Sequence, residues 1–197
     1  AASCTGANMG PHSNLAEHLI EALNVICGRF LREGERIGNP GALLQRWQRK
    51  AQVIPAARPW ESGPKSRIGG FGLIDGEMVT GVMADEILQP GPGRVRAFIN
   101  QGGNPASCVP DQRKMVRAFE ALDLLVSLEP FMTATARLSH YILPPYLQYE
   151  RADLPLYIFE FMVFPDQPYS RYSPPIARPP EGAELMHDFE FFWGLSK

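Results

Sequence analysis

The run Val95-Arg96-Ala97-Phe98-Ile99-Asn100-Gln101-Gly102-Gly103-Asn104-Pro105 decides the fold, read with the helical pattern over 111–122 and the apolar run Leu124-Leu125-Val126-Ser127-Leu128 that follow it. The first run is rich in β-formers and breaks at the paired glycines. Over 111–122, Met115, Phe119 and Leu122 recur on one helical face. Strand, glycine-rich turn, helix and strand within about 35 residues make a βαβ unit, whose strands are parallel and whose crossover is right-handed. Tyr141-Ile142-Leu143 reads as a third strand, and 156–164 as a fourth apolar segment. The expected fold class is therefore α/β, a Rossmann-like parallel sheet with helices on both faces and long Gly/Pro-rich loops.

Working outward, 12–32 carries Leu15, Leu19, Leu23, Ile26 and Phe30 at helical spacing, with Glu17, Glu21 and Arg29 off the stripe. That is a helix with one buried face. Asn14 and Glu17 suit its start, and Gly34 and Gly38-Asn39-Pro40-Gly41 its end. A short helix is predicted over 42–52, a long loop over 53–76 and another helix over 78–88. Prolines 174, 175, 179 and 180 form a stiff linker before a terminal helix over 183–195, which presents Leu185, Phe189, Phe192 and Trp193. Three parts follow: 1–76, a helical segment and long loop; 77–172, the βαβ region; 173–197, the linker and last helix.

Composition narrows the function classes. The chain has 197 residues, 19 basic and 21 acidic, and 45% of its positions are hydrophobic. A net charge of −2 gives no electrostatic footprint for phosphate backbones, so nucleic acid is not an expected partner. No apolar run approaches the ~20 residues a membrane helix needs. The 18 glycines and 19 prolines are numerous, and with hydrophobic content normal they point to long loops rather than disorder. Cys4, Cys27 and Cys108 are scattered and odd in number, so no zinc site or iron–sulfur cluster can be built from them. Reduced thiols suggest a reducing compartment and favour the cytoplasm. The chain begins Ala1-Ala2-Ser3 without an initiator Met, as a processed protein or an excerpt of a longer one would.

In an open parallel sheet, ligands sit beyond the carboxyl ends of the strands. The first strand ends in Gly102-Gly103-Asn104-Pro105 and the second in Glu129-Pro130. Paired glycines let backbone approach a phosphate, Asn104 both donates and accepts, and a carboxylate at the next strand tip takes the hydroxyls of a ribose. That set suits a nucleotide. Taken without context, a plain tight turn explains GGNP better, because GxGxxG is absent. The same holds for Glu129 as a solvated strand end. His18 reads as a packing residue on the helix stripe, Glu150-Arg151 as a local ion pair, and Tyr141, Tyr146, Tyr149 and Tyr157 as core and loop packing. His12, His140 and His187 lack paired-ligand spacing, and no serine lies in a GxSxG elbow.

The run 99–105, Pro110-Asp111, Leu122-Asp123-Leu124-Leu125-Val126, Thr133-Ala134-Thr135-Ala136, Tyr141-Ile142-Leu143-Pro144 and Glu150-Arg151 together resemble the middle of the catalytic subunit of molybdopterin-dependent oxidoreductases. This is the dimethyl sulfoxide reductase and formate dehydrogenase superfamily. Thr5-Gly6-Ala7-Asn8, with the helix after it, resembles the stretch preceding that region. The resemblance implies a cofactor, molybdopterin guanine dinucleotide carrying Mo or W, and cofactor-binding residues Gly6, Asn8, Gly102, Gly103, Asn104, Glu129, Thr133 and Thr135. It implies no catalytic or metal-ligating residue in this chain and no iron–sulfur cluster. Three positions depart from the family pattern: Ala134 replaces the Glu of its TETA motif, Ser139-His140 replaces Ala-Asp, and Glu129 replaces the commoner Asp. The remaining domains of a parent subunit and an electron-transfer subunit are the implied partners, and the chain alone is expected to be inactive. The rival reading is a nucleotide-binding or protein-interaction module without redox activity.

Overall fold

The computed structural model describes residues 6, 9–36, 50–55, 57–73, 76–154 and 172–197. The elements are α1 (Ser13–Ile26), α2 (Pro59–Ser62), a 3-10 turn (Thr80–Val82), α3 (Met83–Leu88), β1 (Ala97–Gln101), α4 (Pro105–Cys108), α5 (Gln112–Glu120), β2 (Leu124–Leu128), a second 3-10 turn (Ala136–Leu138), β3 (Tyr141–Leu143) and α6 (Asp188–Leu195). They fall in two compact units, 1–55 with 154–172 and 56–153 with 173–197.

The second unit holds a three-stranded sheet in the order β1-β2-β3, parallel throughout. Ala97 pairs with Leu124 and Gln101 with Leu128, while Val126 pairs with Tyr141. This α/β unit contains strands at the two runs of the βαβ unit and at Tyr141-Ile142-Leu143, as expected. The crossover helix α5 forms because Asp111, at φ +57°, caps it: its carboxylate accepts from Lys114 N–H at 3.1 Å. Met115, Ala118 and Phe119 then fall on one buried face. They pack with Ala84 and Ile87 of α3, Ala106 of α4 and Leu125 of β2, and the Phe98 and Phe119 rings lie 5.5 Å apart. Arg94 joins the helix ends, donating from Nε to Ile87 O and from Nη2 to Ala121 O, both at 2.8 Å.

Leu125 and Phe98, which are register partners, face this helical layer. On the opposite face Ile99, Leu124 and Tyr141 are exposed, although Val126 and Leu128 are buried. The expected second helical layer is not present among the described residues. The loop over 53–76 also carries more structure than its prolines suggest. It includes the single turn α2, and Arg67 spans it to the end of α3 by donating to Glu86 Oε2 and to the carbonyls of Glu86, Gln89 and Pro90. Buried Glu86 also accepts from Ile68 N–H at 2.8 Å, so its charge is fully partnered.

Several boundaries are corrected. The first helix stops at Ile26 rather than running to 32, because Gly28 turns into the left-handed region at φ +63° and Arg29 N–H closes on Asn24 O at 2.8 Å. His12, not Asn14, holds its cap position, without a side-chain bond. The stripe Leu15, Leu19, Leu23 and Ile26 is exposed, as is His18. Residues 50–52 are not helical: Lys50 bridges Arg36, and Ala51 exchanges hydrogen bonds with Gly34 and Glu35. The rest of 42–52, and the segment 156–164 with Tyr157, lie outside the described residues. The last helix starts at Asp188, five residues later than its pattern suggests, where Glu190 closes on His187 N–H at 3.0 Å. Its Phe189, Phe192 and Trp193 are exposed. No described helix is long and apolar enough to cross a membrane.

Candidate functional site

The carboxyl ends of β1 and β2 end side by side. Gly102 N–H donates to Leu128 O at 3.0 Å, and Glu129 N–H to Leu143 O at 3.2 Å, so the ladder continues one residue past the strands. Gly102 sits at φ +59° with open space where a side chain would be. Glu129 lies beside it, only 7% exposed, and its carboxylate has no hydrogen bond or ion pair among the described residues. A carboxylate at that position can accept hydrogen bonds from a ligand that supplies N–H or O–H donors.

Asn104 and Thr135 meet directly. Asn104 Oδ1 accepts from Thr135 N–H at 3.1 Å and from Thr135 Oγ1–H at 3.0 Å, while Thr135 Oγ1 accepts from Ala106 N–H at 3.0 Å. Asn104 Nδ2 donates to Ser107 Oγ at 3.0 Å. The Asn104 amide thus clasps two loops together, with one of its N–H groups unbonded among the described residues. Thr133 Oγ1 accepts from Ala136 N–H at 3.1 Å and starts the second 3-10 turn. Of the remaining predicted residues, Gly103 follows Gly102 in the same turn and Gly6 is exposed in the other unit. Asn8 lies outside the described residues.

Three further polar residues, which the motif reading passes over, tie this edge to the sheet. Asn100 and Ser127 are register partners on the helical face, 6% and 0% exposed. Asn100 Nδ2 donates to Gly103 O at 2.7 Å and to Ser127 Oγ at 3.5 Å; Ser127 Oγ and Ser139 Oγ are 2.7 Å apart, and Ser139 Oγ donates to Thr135 O at 3.0 Å. The proton count fixes the direction: Ser139 spends its only hydrogen on Thr135 O, so Ser127 donates to Ser139 and accepts from Asn100. The signal was present in the sequence as polar residues on the helix-facing side of two apolar strands.

The other candidates have ordinary partners. Glu150 accepts from Leu147 N–H rather than pairing with Arg151, which lies 3.7 Å from Asp188. Tyr146 stacks on His187 at 4.5 Å, whereas Tyr141 and Tyr149 are exposed. His140 Nδ1 accepts from Leu125 N–H at 2.9 Å. Cys27 and Cys108 are free thiols, and the described residues contain no group of three metal-ligating side chains.

The second unit is an α/β unit with polar groups gathered at the carboxyl edge of a parallel sheet. No family model matches it. A stretch of 71 residues is 34% identical to "Probable oxidoreductase YyaE" of Bacillus subtilis, covering 36% of this chain and 11% of that protein. Trimethylamine-N-oxide reductase of Vibrio cholerae is 35% identical over 85 residues, covering 37% and 10%. Acetylene hydratase from Pelobacter acetylenicus shares the fold over 60% of this chain and 15% of its own, with a TM-score of 0.50 and 22% identity. The chain spans about a tenth of the length of the curated relatives it matches, and these partial relatives are named as oxidoreductases.

Proposed function

We propose that the chain is the cofactor-binding portion of the catalytic subunit of a molybdopterin-dependent oxidoreductase, and that its carboxyl edge receives the guanosine and phosphates of one molybdopterin guanine dinucleotide. The observation that carries this reading is Glu129, a largely buried residue whose carboxylate has no hydrogen bond or ion pair among the described residues, beside the open Gly102 turn. A ligand bearing several N–H or O–H donors fits that vacancy in hydrogen bonding. The ordered resemblance from 99 to 151 and the partial oxidoreductase relatives support the same class.

In this reading Gly102 and Gly103 offer backbone to the phosphates, Glu129 accepts hydrogen bonds from the guanosine, and the Asn104–Thr135 clasp with Thr133 keeps the edge in shape. For Gly6 and Asn8 the proposed cofactor-binding role rests on the resemblance alone. When bound, the cofactor brings the molybdenum or tungsten whose redox chemistry the parent enzyme uses; the protein supplies binding and orientation. The partners are the remaining domains of the subunit and an electron-transfer subunit, and the chain alone does not turn over substrate. Calorimetry of the whole chain with GDP tests this. Saturable binding weakened about tenfold by Glu129→Gln supports it, since one hydrogen bond to a charged group contributes roughly 1.5–3 kcal/mol. Binding indifferent to that substitution contradicts the assignment.

A further inference from the structure

We infer that the outer edge of β1 is a self-association surface, where β1 of a second copy of this chain adds antiparallel about a two-fold axis through Ile99. The surface runs along the side of the sheet rather than its carboxyl edge, and the inference does not depend on the nucleotide reading.

Hydrogen-bond parity defines the edge. Arg96 O accepts from Leu124 N–H, and Gly102 N–H donates to Leu128 O, so residues 96, 98, 100 and 102 turn their backbone groups toward β2. Ala97, Ile99 and Gln101 turn theirs away from it. β1 ends the strand order, and the outward N–H and C=O groups of these residues have no backbone partner among the described residues. All are exposed, Ile99 at 40%. Val95 N–H is taken by Glu86 O at 3.1 Å, which marks where the open stretch begins.

An open strand edge is a template for another strand, and proteins blunt it with lysine, proline or a bulge. The stretch Ala97-Phe98-Ile99-Asn100-Gln101 holds neither lysine nor proline, and its register with β2 runs without a bulge. A second copy complements it group for group. With Ile99 opposite its own equivalent, Ala97 faces Gln101 and Gln101 faces Ala97, so every outward N–H meets a C=O. Arg96, the neighbouring charge, falls opposite Gly102 rather than another arginine, and it is already paired with Asp123. The side chains agree as well. Tyr141, Val126 and Ile99 form one row across the sheet, with Tyr141 and Ile99 exposed. A two-fold axis perpendicular to the sheet joins the two rows into one apolar strip, with the Ile99 side chains touching at its centre, the isologous contact of a closed dimer. One short strand buries less area than a permanent dimer needs, so the association is reversible and micromolar.

Sedimentation velocity of the whole chain, from low to high micromolar concentration, tests this, with hydrogen exchange read at the same concentrations. The wild type should show a monomer–dimer equilibrium, and the amides of Ala97, Ile99 and Gln101 should exchange more slowly as dimer forms. Ile99→Lys and Ile99→Glu, at an exposed position, should each weaken association by about tenfold or more, because like charges then stand opposite one another. An equal mixture of the two variants should associate again, since the register sets the opposite charges face to face. A wild type that stays monomeric overturns the inference. So does a dimer that persists in both variants, a mixture that fails to recover, or a dimer in which those amides exchange unchanged, which would move the contact to another exposed apolar face. Should either variant fail to fold by circular dichroism, amide exchange in the wild type decides.

Discussion

Asn104 shows how a residue found by motif can also have a structural duty. Its position in the glycine turn suggests a ligand contact, but three of its hydrogen bonds go to Thr135 and Ser107. Glu129, by contrast, has no side-chain hydrogen bond or ion pair among the described residues. Opposite responses to substitution follow. Thr135→Val keeps the shape but strands Ala106 N–H, and should cost about 1–3 kcal/mol in urea unfolding, the penalty for a buried donor left unpaired. Glu129→Gln should leave the melting temperature unchanged or higher while nucleotide affinity falls, because a group kept for a ligand is not contributing to the fold. A drop in melting temperature for Glu129→Gln would mean that the carboxylate is structural. Neither role was legible from residue type, since both depend on which loop meets which.

At the scale of elements, the βαβ unit was readable because its signals agree: β-rich runs, a glycine break, and a helix whose buried residues recur at the right spacing. Phe119 is fully buried where α5 meets the sheet, so Phe119→Ala should cost roughly 3–5 kcal/mol in urea unfolding. The link between α3 and α5 is electrostatic as well as apolar. Lys114 Nζ donates to Asp85 at 2.6 Å, and with Gln89 this hydrogen bond holds the Asp85 carboxyl below the ordinary carboxylate range. A carboxyl lowered in the folded state contributes stability above its unfolded pKa and loses it as pH falls through the folded value. Lys114→Met should therefore lower the urea midpoint at neutral pH, and its difference from wild type should shrink in acid. A difference that grows in acid would reverse that assignment. The terminal helices were less legible: their apolar spacing predicts buried faces, but periodicity reports only that a face exists. Leu15, Leu19 and Leu23 of α1 remain half exposed.

For the whole molecule, the parallel sheet and its carboxyl edge are the features that sequence pattern and structure share. The second helical layer was an extrapolation from the α/β class, and exposed Ile99, Leu124 and Tyr141 stand where it would pack. The site was half legible: the glycine turn and Glu129 announce themselves by position, whereas Asn100, Ser127 and Ser139 become a connected set only once the register is known. The chain covers about a tenth of the length of its curated relatives, and fold alone does not assign its activity. The most direct measurement is a 15N-resolved NMR titration of the chain with GDP. Saturable shifts concentrated at Asn100, Gly102, Gly103 and Glu129 are predicted; shifts confined to the amino ends of the strands, with these amides unmoved, would contradict the account.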